Sequence, residues 1–269
     1  MIRFNAPHIR KTILDMAYAG STVHIGCAFS IVELLAVLYR QHLRLDPNRP
    51  DAPERDYLVL SKGHGVMAQY ACLHELGWLH DEELSRYFGN GTRLKGLADA
   101  HVPGIEATTG SLGHGLSVGV GLALAAKLKA TDQICYTLVG DGELNEGSIW
   151  EAVMFATHFK LDNLIVIVDQ NGFQAMGSTD EVMVLGSIES KFLAFGFEAI
   201  TIDGHDEQAI DRAYADLKSQ RNGKPKAIVA RTVKGKGVSF MENDNIWHYT
   251  RLTPENHALA VAEVTGTRS

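Results

Sequence analysis

Two polar side chains that could bind a cation follow two neighbouring apolar segments of the sequence. Asp141 stands between Gly140 and Gly142 after the run ICYTLVG, and Asn171 follows the run NLIVIVD about thirty residues later. A carboxylate without a partner at the end of a buried strand would cost several kcal/mol. Carboxylate, amide and loop carbonyl oxygens suit Mg²⁺ when a phosphorylated ligand supplies further oxygens. The pattern therefore indicates a magnesium and phosphate site.

A glycine-rich stretch, TTGSLGHG at 108–115, could contribute to the same site. It opens a segment with small and apolar residues at helical spacing, and a second helical pattern follows Gly142. The first turn of a helix presents free backbone N–H groups, which bind anions. We therefore expect Gly113 and Gly142 to direct N–H groups at a phosphate.

Each motif alone has a simpler interpretation. A lone aspartate at a strand end often caps the next helix, and Asn171-Gly172 alone is most often a turn. Two other phosphate-binding patterns fail, because GDGELNEGS lacks the lysine of a P-loop and the third glycine of a dinucleotide fingerprint, although Asp169 could mimic its ribose-binding acid. What favours a ligand site is that two strand ends both carry oxygen ligands and glycines.

The elements that would position these residues alternate between strands and helices. Strands are predicted at 57–61, 134–140, 163–169, 198–203 and 226–232, and helices at 8–19, 30–42, 65–77, 81–88, 115–130, 148–159, 189–196, 206–220 and 254–264. Apolar strands in such alternation predict a three-layer α/β fold, with a mostly parallel sheet and helices on both faces. Ligands of such sheets bind at the carboxyl ends of the strands. Segment 90–112 is predicted to be a long functional loop, and the tail 233–269 largely irregular.

Length and composition fit one large domain or two small ones, and we expect a single domain over 1–269. The chain has 269 residues, a net charge of −7 and three cysteines whose spacing fits neither a zinc site nor a disulfide framework. No basic stripe supports binding to nucleic acid or an anionic membrane. No apolar run approaches the roughly 20 residues needed to span a bilayer. These features predict a soluble cytoplasmic protein.

Several strings of the sequence resemble transketolase. GDG followed by about thirty residues and then Asn resembles the motif for thiamine diphosphate and magnesium, and SKGHG, PGIEATTGSLGHGLSVGVGLAL, DGHD and VKGKGVSFMEN are similar to transketolase strings. VHIGCAFSIVELLAVLY resembles the opening of split transketolases. The resemblance covers about residues 8 to 250 and implies the pyrophosphate-type domain of the thiamine-diphosphate-binding fold, as the N-terminal subunit of a two-gene enzyme.

The resemblance implies roles for individual residues. The Mg²⁺ ligands would be Asp141, Asn171 and the Phe173 carbonyl, with Ca²⁺ or Mn²⁺ as alternative ions. Residues that would contact the cofactor are His64, Gly113, His114, Gly140, Asp141, Gly142, Glu143, Asn171 and His248. Histidines that would move protons and bind substrate hydroxyls are His24, His64, His101 and His248. The acids that match the family's subunit interface are Glu146 and Glu151.

The histidines have simpler interpretations, and the sequence departs from the family on the substrate side. Without the resemblance, His24 and His64 could cap helices and His248 could be an exposed tail residue. Leu97 stands where the family has a histidine, and His101, four residues later, would replace it from a shifted loop. His114 replaces a glutamine, and Tyr-Thr-Arg replaces the more common Gly-Lys after Trp-His.

The implied reaction transfers a two-carbon ketol unit from a ketose, or its phosphate, to an aldose. A C-terminal partner would supply the pyrimidine-binding domain and an activating glutamate, in an expected α2β2 tetramer. One alternative is the α subunit of a 2-oxoacid dehydrogenase or decarboxylase, which shares GDG and Asn but is not expected to carry SKGHG or VKGKGVSF. A non-catalytic scaffold with this fold and a nicotinamide enzyme are the others.

Overall fold

A five-stranded parallel sheet forms the centre of the computed structural model, which describes residues 4–20 and 23–267. The strands are β1 (Tyr57–Leu60), β2 (Cys135–Gly140), β3 (Leu164–Gln170), β4 (Phe173–Gln174), β5 (Gly177–Ser178), β6 (Glu198–Asp203) and β7 (Lys226–Arg231). The sheet has the order β1-β2-β3-β7-β6, and β4 and β5 form a separate small antiparallel hairpin. The predicted parallel α/β sheet is confirmed.

Eleven α-helices are described in these ranges. They are α1 (Ala6–Ala19), α2 (Gly26–Phe29), α3 (Val32–Val37), α4 (Val66–Glu75), α5 (Asp81–Leu84), α6 (Gly115–Leu128), α7 (Gly147–His158), α8 (Thr179–Val182), α9 (Ile188–Ala194), α10 (Glu207–Ser219) and α11 (Pro254–Thr265). A π-helical turn, Leu38–His42, continues α3, and 3-10 turns lie at Gly63–Gly65, Gly142–Asn145 and Asn245–His248. No helix of the described residues is both long and apolar enough to cross a membrane.

Two apolar cores lie on opposite faces of the sheet. Along β2, Tyr136 and Leu138 belong to one core, whereas Cys135 and Val139 belong to the other. The alternation follows from the two-residue period of a strand. The first core includes side chains of α1, α3, α4 and α10, and the second those of α6, α7 and α9. Burial on both faces explains why these strands are almost continuously apolar.

Helix α6 packs closely on β2 because glycines face the strand. A Cβ at Gly119 would overlap the Oγ1 atom of Thr137, whereas a Cβ at Gly121, on the same helix, would meet nothing within 4 Å. The small residues of α6 therefore set the distance between helix and sheet. This places the amino end of α6 beside the carboxyl ends of β1 and β2.

The ends of the chain agree with the sequence where they are described. Helix α11 begins with Thr253 as its N-cap and Pro254 in its first turn, and it ends at Gly266 with a φ of 67°. Proline at the start and a left-handed glycine at the end are strong helix boundaries. The single domain over 1–269 stays a prediction, since its first three and last two residues lie outside the described ranges.

Candidate functional site

A cavity of about 450 Å³ opens at the carboxyl ends of the central strands. In the pairing of β2 with β3, Gly140 lies opposite Asp169, so Asp141 and Asn171 follow at the same edge of the sheet. Both side chains line the cavity, as does Phe173 from the hairpin. The three predicted metal ligands therefore line one cavity, and their binding of a metal ion stays a prediction.

The carboxylate of Asp141 is buried and accepts hydrogen bonds from two backbone N–H groups. Oδ1 accepts from Gly142 at 2.8 Å and Oδ2 from Gly172 at 2.6 Å. Burial, followed by the nearby charge of Asp169, raises the pKa of Asp141 to about 6 despite these bonds. A carboxylate that is costly to keep charged in this way is suited to binding a cation.

The amide of Asn171 is oriented by its neighbours. Its Nδ2 atom donates to Oδ2 of Asp169 at 2.7 Å, and its Oδ1 atom accepts from the N–H of Phe173 at 3.0 Å. Because the nitrogen is fixed on a carboxylate, the amide oxygen is directed away from Asp169. Both polar atoms of the Asn171 amide are thus held in place, and its role as a metal ligand stays a prediction.

A buried ion pair that the sequence did not reveal lies beneath these two residues. Lys62 is 1% exposed and Asp169 is fully buried, and the two side chains form a salt bridge. Asp169 also accepts from the hydroxyl groups of Ser30 and Thr232. Burial opposes both charges, yet the pKa of Lys62 lies above its ordinary value and the pKa of Asp169 below it, because each faces the other. The pair therefore remains ionised.

Three histidines from distant parts of the chain meet across the cavity. The ring centroid of His24 lies 5.2 Å from that of His64 and 5.4 Å from that of His248, and the last two are 5.6 Å apart. Burial, reinforced by nearby lysines, lowers the pKa of His24 to about 4 and that of His248 to about 3, and also lowers the pKa of His64. All three rings are neutral near pH 7.

Lys234 is a second cavity residue that sequence reasoning missed. Its Nζ atom contacts Nδ1 of His248 at 2.9 Å and Oδ1 of Asn245 at 2.7 Å. Burial lowers the pKa of Lys234 to about 8. Since Nδ1 of His248 faces this amine, we infer that the ring proton sits on Nε2. The string VKGKG contains Lys234, but nothing in the sequence places it beside a residue of the tail.

His101 and His114 do not line the cavity, and the interpretation of His101 is corrected. Its side chain is 89% exposed and pairs with Asp99 at 2.6 Å, whereas Leu97 itself lines the cavity. The loop therefore does not shift to bring His101 into the place of Leu97. His114 is exposed at the start of α6.

The expectation for Gly113 is also corrected. Its N–H donates to Oε1 of Glu143, at 2.9 Å, and the N–H of Gly142 donates to Oδ1 of Asp141, at 2.8 Å, so neither group is directed at a phosphate. The Glu143 carboxylate also accepts from Ser61 at 2.5 Å and from the N–H of Gly140 at 3.1 Å. Glu143 thus ties the glycine-rich loop to two strand ends, and its contact with a cofactor stays a prediction, as does that of Gly140.

The side chain of Gln174 is the clearest unsatisfied group in the cavity. Its Nε2 atom is buried and has no hydrogen-bond partner among the described residues. Gln174 packs against Gly142, where a Cβ would lie 2.7 Å from its Cγ atom. Buried donors are normally paired, so this amide indicates that a ligand with acceptor oxygens belongs beside Gly142.

Glu146 and Glu151 lie at the start of α7, and both are exposed. Large apolar side chains are exposed on α6, on the same helix and directly after it, namely Val118, Met154, Phe155 and Phe159. Exposed apolar patches of this kind mark interaction surfaces. The predicted subunit interface at these two acids stays a prediction.

Polar side chains at the ends of adjacent parallel strands, a buried unpaired donor beside a glycine and a cluster of neutral histidines are features expected of an α/β domain that binds a phosphorylated cofactor. Comparison with known proteins specifies which one. Residues 4–265 match the family model for the transketolase, thiamine diphosphate binding domain, so the chain belongs to the transketolase family.

Two curated relatives, each named as one subunit of a transketolase, match over almost their whole lengths. The first, from the apulose-4-phosphate transketolase of Phocaeicola vulgatus, is 41% identical over 256 residues, 95% of this chain and 91% of that protein. The second, SqwG from the 6-deoxy-6-sulfo-D-fructose transketolase of a Clostridium species, is 43% identical over 264 residues, 98% of this chain and 96% of that protein.

Solved transketolases contain the same fold within longer chains. Transketolase from Leishmania mexicana is 34% identical with a TM-score of 0.91, and the match covers 97% of this chain and 40% of that one. Transketolase from Campylobacter jejuni is 31% identical with a TM-score of 0.90, covering 97% and 42%. This chain therefore spans about two fifths of the solved enzymes it resembles.

Proposed function

We propose that this chain is the N-terminal, thiamine diphosphate-binding subunit of a two-gene transketolase. The pair would transfer a two-carbon ketol unit from a ketose, or its phosphate, to an aldose. The observation that carries the proposal is that Asp141 and Asn171 line the same cavity as His24, His64 and His248. The names of the two curated relatives as transketolase subunits support it.

The residues of the cavity fit thiamine diphosphate and a divalent cation. Asp141, the Asn171 amide oxygen and the Phe173 carbonyl are hard oxygen ligands, which suit Mg²⁺, with Ca²⁺ or Mn²⁺ as alternatives. The unpaired amide nitrogen of Gln174, which packs against Gly142, would face the diphosphate. When bound, the cofactor supplies the nucleophilic carbon that takes up the two-carbon unit.

The histidines would move protons and hold substrate hydroxyls. Because burial keeps His24 neutral, its ring can accept a proton from a hydroxyl group and return it later, whereas the Nε2–H group of His248 would donate to a substrate hydroxyl. Lys234 fixes one nitrogen of His248, which leaves the other directed elsewhere for a ligand. Neutral rings also avoid placing further positive charge beside Lys62 and Lys234.

The remaining parts of the active site would come from a C-terminal transketolase subunit. That subunit would supply the pyrimidine-binding domain and the activating glutamate, and an α2β2 tetramer is the assembly we propose. The exposed apolar surface of α6 and α7, with Glu146 and Glu151, is where we expect it to bind. Three buried free thiols, Cys27, Cys72 and Cys135, support a cytoplasmic location.

Calorimetric titration of thiamine diphosphate in the presence of Mg²⁺ tests the cofactor site. The chain, combined with its C-terminal subunit, should bind the cofactor, and Asp141→Ala or Asn171→Ala should weaken binding at least ten-fold. Asp132→Ala is the matched control, because Asp132 is exposed and precedes β2 at the opposite edge of the sheet. Equal affinity in all variants would contradict the proposed site.

A panel of donors then identifies the reaction. Ketoses and ketose phosphates should yield two-carbon transfer to an aldose, whereas pyruvate-like acids should not be consumed. Decarboxylation of a 2-oxoacid would instead assign the chain to the 2-oxoacid dehydrogenases. Cofactor binding without turnover of any donor would favour the scaffold.

A further inference from the structure

A second cavity, of about 400 Å³, opens beside the histidine cluster. His24 and Leu97 line both this cavity and the one that holds the metal-ligand residues, so the two spaces adjoin. Its other principal walls are Phe88, Lys95 and Tyr249. We refer to this space, bounded by these five residues, as the side cavity.

Glycines allow the apolar walls of the side cavity to pack in place. Leu97 rests on Gly110, where a Cβ would lie 2.8 Å from its Cδ1 atom. The ring of Phe88 rests on Gly96, where a Cβ would lie 2.9 Å from its Cε2 atom. Phe88 itself has a φ of 56°, a conformation that costs a residue with a side chain roughly 1–2 kcal/mol. Such strain persists where surrounding contacts impose it, and it is frequent at ligand sites.

Tyr249 closes the side cavity next to the histidine cluster. Its ring centroid lies 4.6 Å from that of His24. The backbone on either side is anchored, because Val23 and Thr250 exchange both hydrogen bonds of an isolated antiparallel bridge. The tail therefore brings an aromatic wall to the side cavity, at the position where the sequence departs from its family.

The side cavity is apolar but open to solvent. Phe88 is 40% exposed, Leu97 41% and Tyr249 52%. Lys95 brings a positive charge to this lining, and its Nζ atom donates to the carbonyl of Thr92 at 2.7 Å, which leaves two further N–H donors free for a ligand. An apolar space with one cation, continuous with the histidine cluster, fits a ligand that is part carbon chain and part anion.

We propose that the side cavity binds the part of an anionic sugar substrate that lies beyond the transferred two-carbon unit, and that it selects sugars with few hydroxyl groups in that part. The inference rests on the proposed function. His24 marks the reacting end, Leu97, Phe88 and Tyr249 contact the carbon chain, and Lys95 faces the phosphate or sulfonate at the far end.

The selection follows from the side chains of Leu97 and Phe88, which have no hydrogen-bonding group, and from the aromatic ring of Tyr249. A substrate hydroxyl that lies against an apolar wall loses its hydrogen bonds to water and gains none in return. Discrimination of this kind is modest, about ten-fold to a hundred-fold, because an apolar pocket rejects an added hydroxyl only weakly. A histidine in place of Leu97 would supply a partner and remove most of the preference.

Paired substrates test the inference in the chain combined with its C-terminal subunit. The kcat/KM of a ketopentose phosphate is compared with that of the same sugar lacking the hydroxyl next to the phosphate-bearing carbon. With the two unmodified subunits, kcat/KM should be at least about ten-fold higher for the deoxy sugar. Leu97→His should bring the ratio close to one by raising the value for the hydroxylated sugar, and Tyr249→Ser should shift it in the same direction. Leu259→His, on an exposed position of α11, should leave the ratio unchanged.

The charge is tested with the same enzyme. Lys95→Met should raise KM for the phosphorylated sugars by up to about five-fold, the range expected of an exposed ion pair, and should not change KM for the unphosphorylated ketopentose. Lys224→Met, an exposed lysine just before β7 at the opposite edge of the sheet, is the control.

The outcomes separate the side cavity from the proposed function. The role proposed for the side cavity alone would be overturned if the two unmodified subunits transfer the two-carbon unit but Leu97→His and Tyr249→Ser leave the ratio of the two kcat/KM values unchanged. Weaker association with the C-terminal subunit, at an unchanged ratio, would also overturn it and make these walls a subunit contact. No two-carbon transfer from any ketose would overturn the proposed function and the side cavity with it.

Discussion

Replacing Asp169 by asparagine removes one charge of the buried pair with little change in shape. The new amide could still accept from Lys62 through its oxygen and donate to the Thr232 hydroxyl through its nitrogen. Lys62 would then keep its charge while only 1% exposed, with two neutral acceptors, the new amide oxygen and the Cys27 carbonyl at 3.1 Å, in place of a carboxylate. Breaking a buried pair by removing one partner costs about 3–5 kcal/mol. We expect a loss of about 3 kcal/mol, because the isosteric amide retains part of the network.

Urea unfolding of the single and double variants measures this loss. Lys62→Met alone should cost a similar amount, since it leaves Asp169 buried and unpaired. The double variant Lys62→Met with Asp169→Asn should recover at least about 2 kcal/mol relative to the sum of the single variants, which is the signature of direct coupling. Asp132→Asn, whose partner Arg44 lies on the surface, should leave the unfolding midpoint unchanged.

The reasoning fails if Asp169→Asn loses less than about 1 kcal/mol, a value typical of surface pairs. It also fails if the effects of the two single variants simply add. Either result would mean that water or a neighbouring group satisfies Lys62 without Asp169. The same variants report on the ligand site, because Asp169 holds the amide nitrogen of Asn171.

Two further predictions concern stability. Burial alone would raise the pKa of Glu33, but hydrogen bonds from His205 and Arg10 lower it from 4.5 to about 2. The ionised carboxylate therefore contributes about 3 kcal/mol to the free energy of unfolding above pH 4.5, and this contribution disappears as the pH falls towards 2. Glu33→Gln should make the free energy of unfolding nearly independent of pH over that interval, whereas an unchanged slope would contradict the prediction. Gly119→Ala should lower the free energy of unfolding in urea by about 1–3 kcal/mol, since its Cβ would overlap a buried side chain of β2. Gly121→Ala on the same helix should instead stabilise the protein by up to about 1 kcal/mol. Equal effects of the two variants would refute the packing argument.

The sequence was sufficient to predict the parts of the site that depend on strand order. Asp141 and Asn171 each follow an apolar strand, and the carboxyl ends of parallel strands lie at one edge of the sheet. The alternation of strands and helices along the sequence is therefore enough to predict that the two residues lie at the same edge. The family resemblance added His24, His64 and His248, which the structure brings together. Their separation in sequence exceeds what local patterns could connect.

Other features depend on contacts that local patterns do not encode. Lys62 and Asp169 are 107 residues apart, and a buried pair is recognisable only when both partners are seen together. The hairpin β4–β5 has two-residue strands, which are too short to show alternation. His101 was misplaced because loop 90–112 has no regular period from which the direction of a side chain could be inferred.

The most direct test of the account is transfer of a two-carbon unit by this chain combined with its C-terminal subunit. We predict that the combination converts a ketose phosphate and an aldose, that activity requires thiamine diphosphate and a divalent cation, and that Asp141→Ala abolishes it while Asp132→Ala does not. This chain alone should transfer nothing. Transfer at a normal rate by the chain alone, or by the combination carrying Asp141→Ala, would contradict the account.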